Sequence, residues 1–211
     1  MLVQPVPYRD PVAAFSVFAD DPHAVLLDGF AAEGERHITV IAAEPVRVVT
    51  AKDGEDGFAE LDQLWCECGH YEDGQSPVPF SGGLIGALGY ELGGCLERLP
   101  KPKNDPHGLP HLSFGLYDTV AAYDHTAGKA WIMSRGKNPA EKITRFIARL
   151  KSAPEFLPPL DWNRTGTWQA EQTRAEVEQN IQRVIDYRCA GEIIQANVTQ
   201  RFTADRPAGL T

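Results

Sequence analysis

The reading of the fold turns on GEIIQANVTQRF, residues 191–202, and works outward from there. Side chains alternate along an extended strand, so Ile194, Ala196, Val198 and Phe202 share one side, while Gln195, Asn197, Thr199 and Arg201 share the other. The pattern predicts a half-buried strand. Its polar side fits two readings, a solvated face or a face turned into a ligand cavity. A strongly punctuated helix precedes it. Thr173 and Glu176 form a capping-box pair, Val177, Ile181, Val184 and Ile185 recur at helical spacing, and Gly191 ends the helix. A strand needs neighbours to pair with, so this pattern so near Thr211 suggests the front part of a larger structure.

The second informative stretch is FSGGLIGALGYELGGCLERLP, residues 80–100, with glycines at 82, 83, 86, 89, 93 and 94. The order is neither GxGxxG nor a P-loop, and no GK[ST] follows, so a phosphate cradle is not indicated. Close backbone approach in a buried segment explains the glycines better. Glu91, Glu97 and Arg98 read as an ion-paired surface without chemistry.

Elsewhere helix and strand signals mix. Asp10-Pro11 starts a helix with Val12, Phe15 and Phe18 on its apolar face. AVLLD (24–28) reads as a buried strand, and HITVIAAEP (37–45) and VRVVTAK (46–52) as two more, divided by Pro45. Phe58, Leu61, Leu64 and Trp65 lie on one helical face. YEDGQSPVP (71–79) and KPKNDPHGLP (101–110) read as loops. LSFGLYDTVAAYD (112–124) and KAWIMS (129–134) flank HTAG, a hairpin turn. Asn138-Pro139 opens a helix carrying Ile143, Phe146, Ile147 and Leu150, and LPPLDW (157–162) reads as a linker. Without regular βαβ alternation, the class is α+β.

Composition narrows the function. A hydrophobic fraction of 43% in 211 residues supports a globular chain with a sizeable core. A net charge of -9 disfavours nucleic acid and anionic membrane as partners. No apolar run approaches the ~20 residues that span a bilayer. MLVQPVPYRD has neither the basic nor the apolar region of a secretory signal, so a cytoplasmic location is expected. Cys66, Cys68, Cys95 and Cys189 match no zinc spacing and are expected to be free thiols. The histidines at 23, 37, 70, 107, 111 and 125 are scattered, with no HExxH and no nucleophile signature.

Two motifs carry a resemblance. GEIIQANVTQRF is similar to the G-D-x-Y-Q-x-N-L-x-Q-R-F segment of chorismate-utilising enzymes, with Ile194 in place of the usual Tyr. FSGGLIGALGYELGGCLERLP resembles their P-F-x-G-G-x-x-G-x-x-G-Y-D-L-G-x-x-x-E-x-L-P segment. In this order and at this separation, the pair most resembles the aminodeoxychorismate synthase component I (para-aminobenzoate synthase) family, with anthranilate synthase component I as close relative. LLDGF (26–30) and AAEP (42–45) fall where that family has similar short strands.

The resemblance implies an α+β fold of antiparallel sheets packed in two layers with helices outside, like anthranilate synthase component I. It implies an N-terminal-like domain over 1–160 and an incomplete chorismate-binding domain over 161–211. The implied reaction of the full-length enzyme converts chorismate and ammonia to 4-amino-4-deoxychorismate with Mg²⁺, a glutamine amidotransferase subunit supplying the ammonia. The family's P-I-K-G-T segment and its Mg²⁺-holding glutamates fall beyond residue 211. No catalytic, cofactor-binding or metal residue therefore maps onto this chain, which is expected to be inactive alone. Some members bind tryptophan between an L-L-x-S strand and an R-Y-S-F stretch. Here those stretches read LLDG and GERHITV, which puts Asp28, Arg36 and His37 at the tryptophan-pocket positions and removes the Ser hydroxyl and Tyr ring. An Asp there can bind an amino group; a surface loop without ligand fits as well. A non-catalytic module that binds an amino acid or a partner subunit is the reading from another class.

Overall fold

The structure, a computed structural model, describes residues 1–29, 35–52, 55–69, 76–99, 108–158 and 167–205. The chain divides into two compact units, Met1–Leu157 and Pro158–Thr211.

The first unit is built on two antiparallel sheets. The larger has five strands in the order β1 (Leu2–Val6), β8 (Lys129–Ser134), β7 (Thr119–Asp124), β3 (Ile38–Ala42) and β2 (Val25–Asp28). The smaller runs β4 (Arg47–Ala51), β6 (Leu112–Tyr117), β5 (Gly83–Leu88). Alternation along the central strands sorts the core into two faces. Ile41, Ala121, Tyr123 and Ile132 face α1 (Pro11–Phe15) and α3 (Pro139–Leu150), meeting Ala14, Phe18, Ile143, Phe146 and Leu150. Val40, Ala42, Val120, Ala122 and Met133 pack on the opposite side with Val78, Tyr117 and Ile85. Val49, Ala51, Leu112 and Leu92 bury Leu64 of α2 (Gly57–Cys68) against the smaller sheet. The expected α+β arrangement, antiparallel sheets in two layers with helices outside, is the one observed. Each large apolar side chain buried this way contributes roughly 1.5–3 kcal/mol.

Two chain segments cross from one sheet to the other. Between β3 and β4 the turn passes through Glu44 at φ 53°, and Arg145 and Arg149 of α3 hold its carboxylate. Between β6 and β7, Asp118 breaks what reads in sequence as one strand, residues 112–124. Its carbonyl accepts from the Arg135 amide at 2.7 Å, and its carboxylate pairs with Lys142. Strands that switch sheets at such corners let one sequence run serve both layers.

The helix starts follow their punctuation. Asp10 Oδ1 accepts from the Val12 amide at 3.1 Å, and Asp56 Oδ1 accepts from Phe58 and Ala59 at the start of α2. Pro139 sits in the first turn of α3, but Asn138 is left-handed and makes no side-chain cap. Gly86 is where glycine is required on steric grounds. A Cβ there would collide with the Ser113 carbonyl and the Phe114 ring.

Several expectations need correction. Leu2–Val6 forms β1, a strand not among those expected; Pro5 obscures its signal, and an edge position, with a neighbour on one side only, tolerates it. AVLLD is the opposite edge strand, and Leu27 and Asp28 are exposed rather than buried. Ala13 and Ala14, not Val12, form the buried side of α1. Trp65 is 60% exposed on α2. Within the 80–100 stretch, residues 80–99 are half-buried to exposed apart from Ser81 and Leu92, with a 3-10 helix at Tyr90–Cys95 after β5. Residues 71–75, 101–107 and 159–162 of the expected loops and linker lie outside the described residues.

In the second unit, α4 (Arg174–Cys189) carries the predicted capping box, with Glu176 Oε2 accepting from the Thr173 amide at 2.7 Å. Gly191 follows at φ 76°. The predicted strand 191–202 is not formed over its length. Phe202–Thr203 alone pair, as β10, with β9 (Gln169–Ala170). Ile194 is 95% exposed, and no residue of α4 is buried. Alternation supplies a face to bury, but a strand also requires a ladder partner.

Candidate functional site

The sequence-marked residues Asp28, Arg36 and His37 lie at one end of the five-stranded sheet, where β2 ends and β3 begins. Register pairs Asp28 with Thr39, and Ile38 with Asp124 of β7. The ladder continues one step further, with the His125 amide donating to the His37 carbonyl at 3.0 Å. This stacks the two imidazoles, with centroids 3.9 Å apart and planes 13° apart. His37 Nε2 lies 3.9 Å from Asp28 Oδ1.

A hydrogen-bonded chain runs through the group. The Thr39 hydroxyl lies 2.6 Å from Asp28 Oδ1 and 2.8 Å from His125 Nε2, and Tyr8 Oη lies 2.9 Å from His125 Nδ1. The carboxylate only accepts, so the single Thr39 proton goes to Asp28 and His125 donates through Nε2. Nδ1 of neutral His125 then accepts from Tyr8. Burial first, and the adjacent His37 second, hold the His125 pKa below the usual histidine value. Burial, with Asp10 and Asp124 nearby, raises that of Tyr8.

Arg36 is turned to a different task. Its Nε donates to Asp124 Oδ2 at 3.0 Å, and its Nη2 reaches Asp124 and the Pro77 carbonyl. Asp124 is buried, and its Oδ1 accepts from the Ala127 amide at 2.8 Å, which builds the HTAG turn. Burial opposes the Asp124 charge, but Arg36 and the turn amides outweigh it and hold the carboxyl below its ordinary range. Asp28 and His37 are thus brought together, and Arg36 is not brought to them.

Beside this group opens a cleft of ≈ 470 Å³, within the range of small-molecule sites. Leu26, Leu27, Ile38, Val40 and Phe80 make it apolar, and Asp28 supplies the charge at its wall. A Cβ on Gly29 would stand 2.5 Å from the Ile38 carbonyl, so the local backbone leaves no room for the serine that the resemblance places near here. Sequence reasoning missed His125, Thr39 and Tyr8. Their signal is the pairing of β3 with β7, a contact between residues far apart in the chain.

Comparison with known proteins places this fold in a class. The chorismate binding enzyme family matches residues 22–209, and the chain belongs to that family. Aminodeoxychorismate synthase component 1 of Escherichia coli is 29% identical over 209 residues, covering 90% of this chain and 44% of that protein. The same component of Klebsiella aerogenes is 27% identical over 216 residues. Anthranilate synthase component 1 of Thermus thermophilus is 32% identical over 129 residues, 60% of this chain. The crystal structure of anthranilate synthase component I from Streptococcus pneumoniae superposes with a TM-score of 0.69 at 22% identity, covering 95% of this chain and 48% of that one. The chain spans about half the length of the relatives it matches. Among the described residues, no helix is long and apolar enough to cross a membrane.

Proposed function

We propose that this chain is the N-terminal portion of an aminodeoxychorismate synthase component I, whose full-length form converts chorismate and ammonia to 4-amino-4-deoxychorismate. The observation that carries the reading is the breadth of similarity. The E. coli aminodeoxychorismate synthase component matches across 90% of the chain, the T. thermophilus anthranilate synthase component across 60%. The partner would be a glutamine amidotransferase subunit that delivers ammonia. Residues 1–160 would form the N-terminal domain and 161–211 the first elements of the chorismate-binding domain.

Magnesium in such an enzyme would neutralise and orient the substrate carboxylates. The donor cluster Asp28, His37, His125 does not fit it, since Mg²⁺ takes oxygen ligands and two of these donors are imidazoles. As part of this proposal, the chain alone lacks synthase activity. The test is an assay for aminodeoxychorismate from chorismate, ammonium and Mg²⁺; turnover well above a blank refutes the proposal of an inactive portion. Anthranilate synthase component I is the second reading, favoured by the higher identity of the T. thermophilus relative over its shorter match. Supplying the chain with the C-terminal half of each enzyme type, and identifying the product, separates the two.

A further inference from the structure

We infer that Asp28, His37 and His125 form a binding site for a divalent transition metal of the zinc class. The three side chains come from three different strand ends, and their donor atoms lie within 4.8 Å of one another. His37 Nε2 is enclosed, yet it has no hydrogen-bond partner among the described residues. A buried polar atom left unmatched is costly, and a cation between it and Asp28 removes that cost. The inference goes beyond the synthase reading and stands whether or not that reading holds.

The geometry requires a small closure. Donors about 2.0–2.1 Å from a tetrahedral ion stand about 3.3 Å apart, against 3.9 Å between His37 Nε2 and Asp28 Oδ1. The stacked rings must also splay, because their planes now lie nearly parallel and 3.9 Å apart, whereas two imidazoles on one ion must converge on it. The side chains that move, His37 and Asp28, are 35% and 54% exposed and have room to do so. Two imidazoles and one carboxylate suit zinc and its neighbours, and leave a fourth position for water.

The outer contacts are already in place. When a metal takes the Nε2 lone pair of His125, the ring proton resides on Nδ1 and donates to the Tyr8 oxygen, reversing the present bond. Thr39 keeps donating to Asp28 and fixes its second lone pair. Arg36 does not oppose the cation with a free charge, because Asp124 compensates it.

Cobalt(II) titration of the whole chain tests this, read by visible absorption. The expected result is one saturable equivalent with a nitrogen and oxygen ligand spectrum, displaced by zinc and not by excess magnesium. His37→Gln and Asp28→Asn each weaken binding by at least about tenfold, and Tyr8→Phe by about tenfold, as loss of an outer-shell partner does. Cys66→Ser and Cys68→Ser leave it unchanged. A thiolate charge-transfer band, the absence of saturable binding, or equal affinity in a folded His37→Gln or Asp28→Asn variant overturns the assignment. Circular dichroism of both variants checks folding, and their partly exposed side chains keep them clear of the core.

Discussion

Removing the Arg149 guanidinium from α3 should loosen the packing of that helix on the segment after α1, Val17 to Asp21, by an amount the contacts define. Arg149 pairs with Asp21 in a two-point contact, lies 3.2 Å from Glu44 Oε1, donates to the Val17 carbonyl and covers the Phe18 ring at 4.3 Å. Both partners of the Asp21 pair are a little over a quarter exposed, so solvent screening limits the pair to about 1 kcal/mol. The cation over the ring adds about 0.5–1 kcal/mol and the carbonyl bond about 1 kcal/mol. Arg149→Ala should therefore cost about 2–3 kcal/mol near neutral pH. Hydrogen bonding to Arg149 holds the Asp21 pKa below its ordinary value, ahead of the opposing effect of burial. A carboxyl lowered in the folded state stabilises above its unfolded value of about 3.9 and loses that contribution as pH falls through its folded value. Only the Asp21 share of the deficit, about 1 kcal/mol, should shrink once pH falls below about 3.9, as Asp21 takes up its proton. Urea unfolding followed by near-ultraviolet circular dichroism, which senses the buried Tyr117 and Tyr123, measures both quantities. A loss under about 0.5 kcal/mol, or a deficit that stays constant down to about pH 3, would refute this account of the contact between α3 and the Val17–Asp21 segment.

Other perturbations probe separate links. Gly86→Ala should destabilise the first unit by about 1–3 kcal/mol, because the new methyl meets Ser113 and Phe114 backbone; an unchanged melting temperature would contradict the packing of β5 on β6. Tyr123→Phe should be neutral or stabilising by up to about 1 kcal/mol, since its hydroxyl is buried without a partner among the described residues and its pKa is pushed to about 12 mainly by burial; a clear drop in melting temperature would reveal a bond. Phe146→Ala should cost about 3–5 kcal/mol, as it empties a space between α3 and the sheet; a loss below about 1 kcal/mol would put α3 outside the core. Amides across 193–200 should exchange hydrogen quickly, because these residues pair with no strand among the described residues; protection equal to that of β7 would mean a ladder does form.

Elements announced by local chemistry were legible in the sequence. Asp10-Pro11, Asn138-Pro139 and the Thr173–Glu176 pair each stand at the start of a helix. Pro45 does divide two strands. What no local pattern reveals is that β3 and β4 belong to different sheets, or that Asp118 splits residues 112–124 between the same two sheets. Those facts rest on pairing between distant segments. The failure at 191–202 has the same root. Period-two alternation reports a face that would be buried if a neighbour were present, and within Pro158–Thr211 the described residues give this stretch one paired position, Phe202.

The candidate site shows the limit more sharply. Asp28 and His37 are nine residues apart, and the hairpin of β2 and β3 brings them close by short-range pairing. His125 joins them through β7, eighty-eight residues after His37, and its place is fixed by one backbone bond beyond the last ladder pair. Read along the chain, the six histidines are scattered; read across the sheet, two of them stack. Arg36 shows the converse. It is adjacent to His37 in sequence, yet it points to the buried Asp124 that shapes the β7–β8 turn. Position beside a motif therefore made Arg36 look like a ligand contact, whereas its geometry makes it a brace for the turn that carries His125. The same ion pair ties the strand end bearing His37 to the strand end bearing His125. Breaking it removes a tie between the two strand ends without altering either imidazole, and Arg36→Met should weaken cobalt binding by letting the two donors move apart. Unchanged cobalt affinity in a folded Arg36→Met variant would show that the backbone ladder alone holds them together.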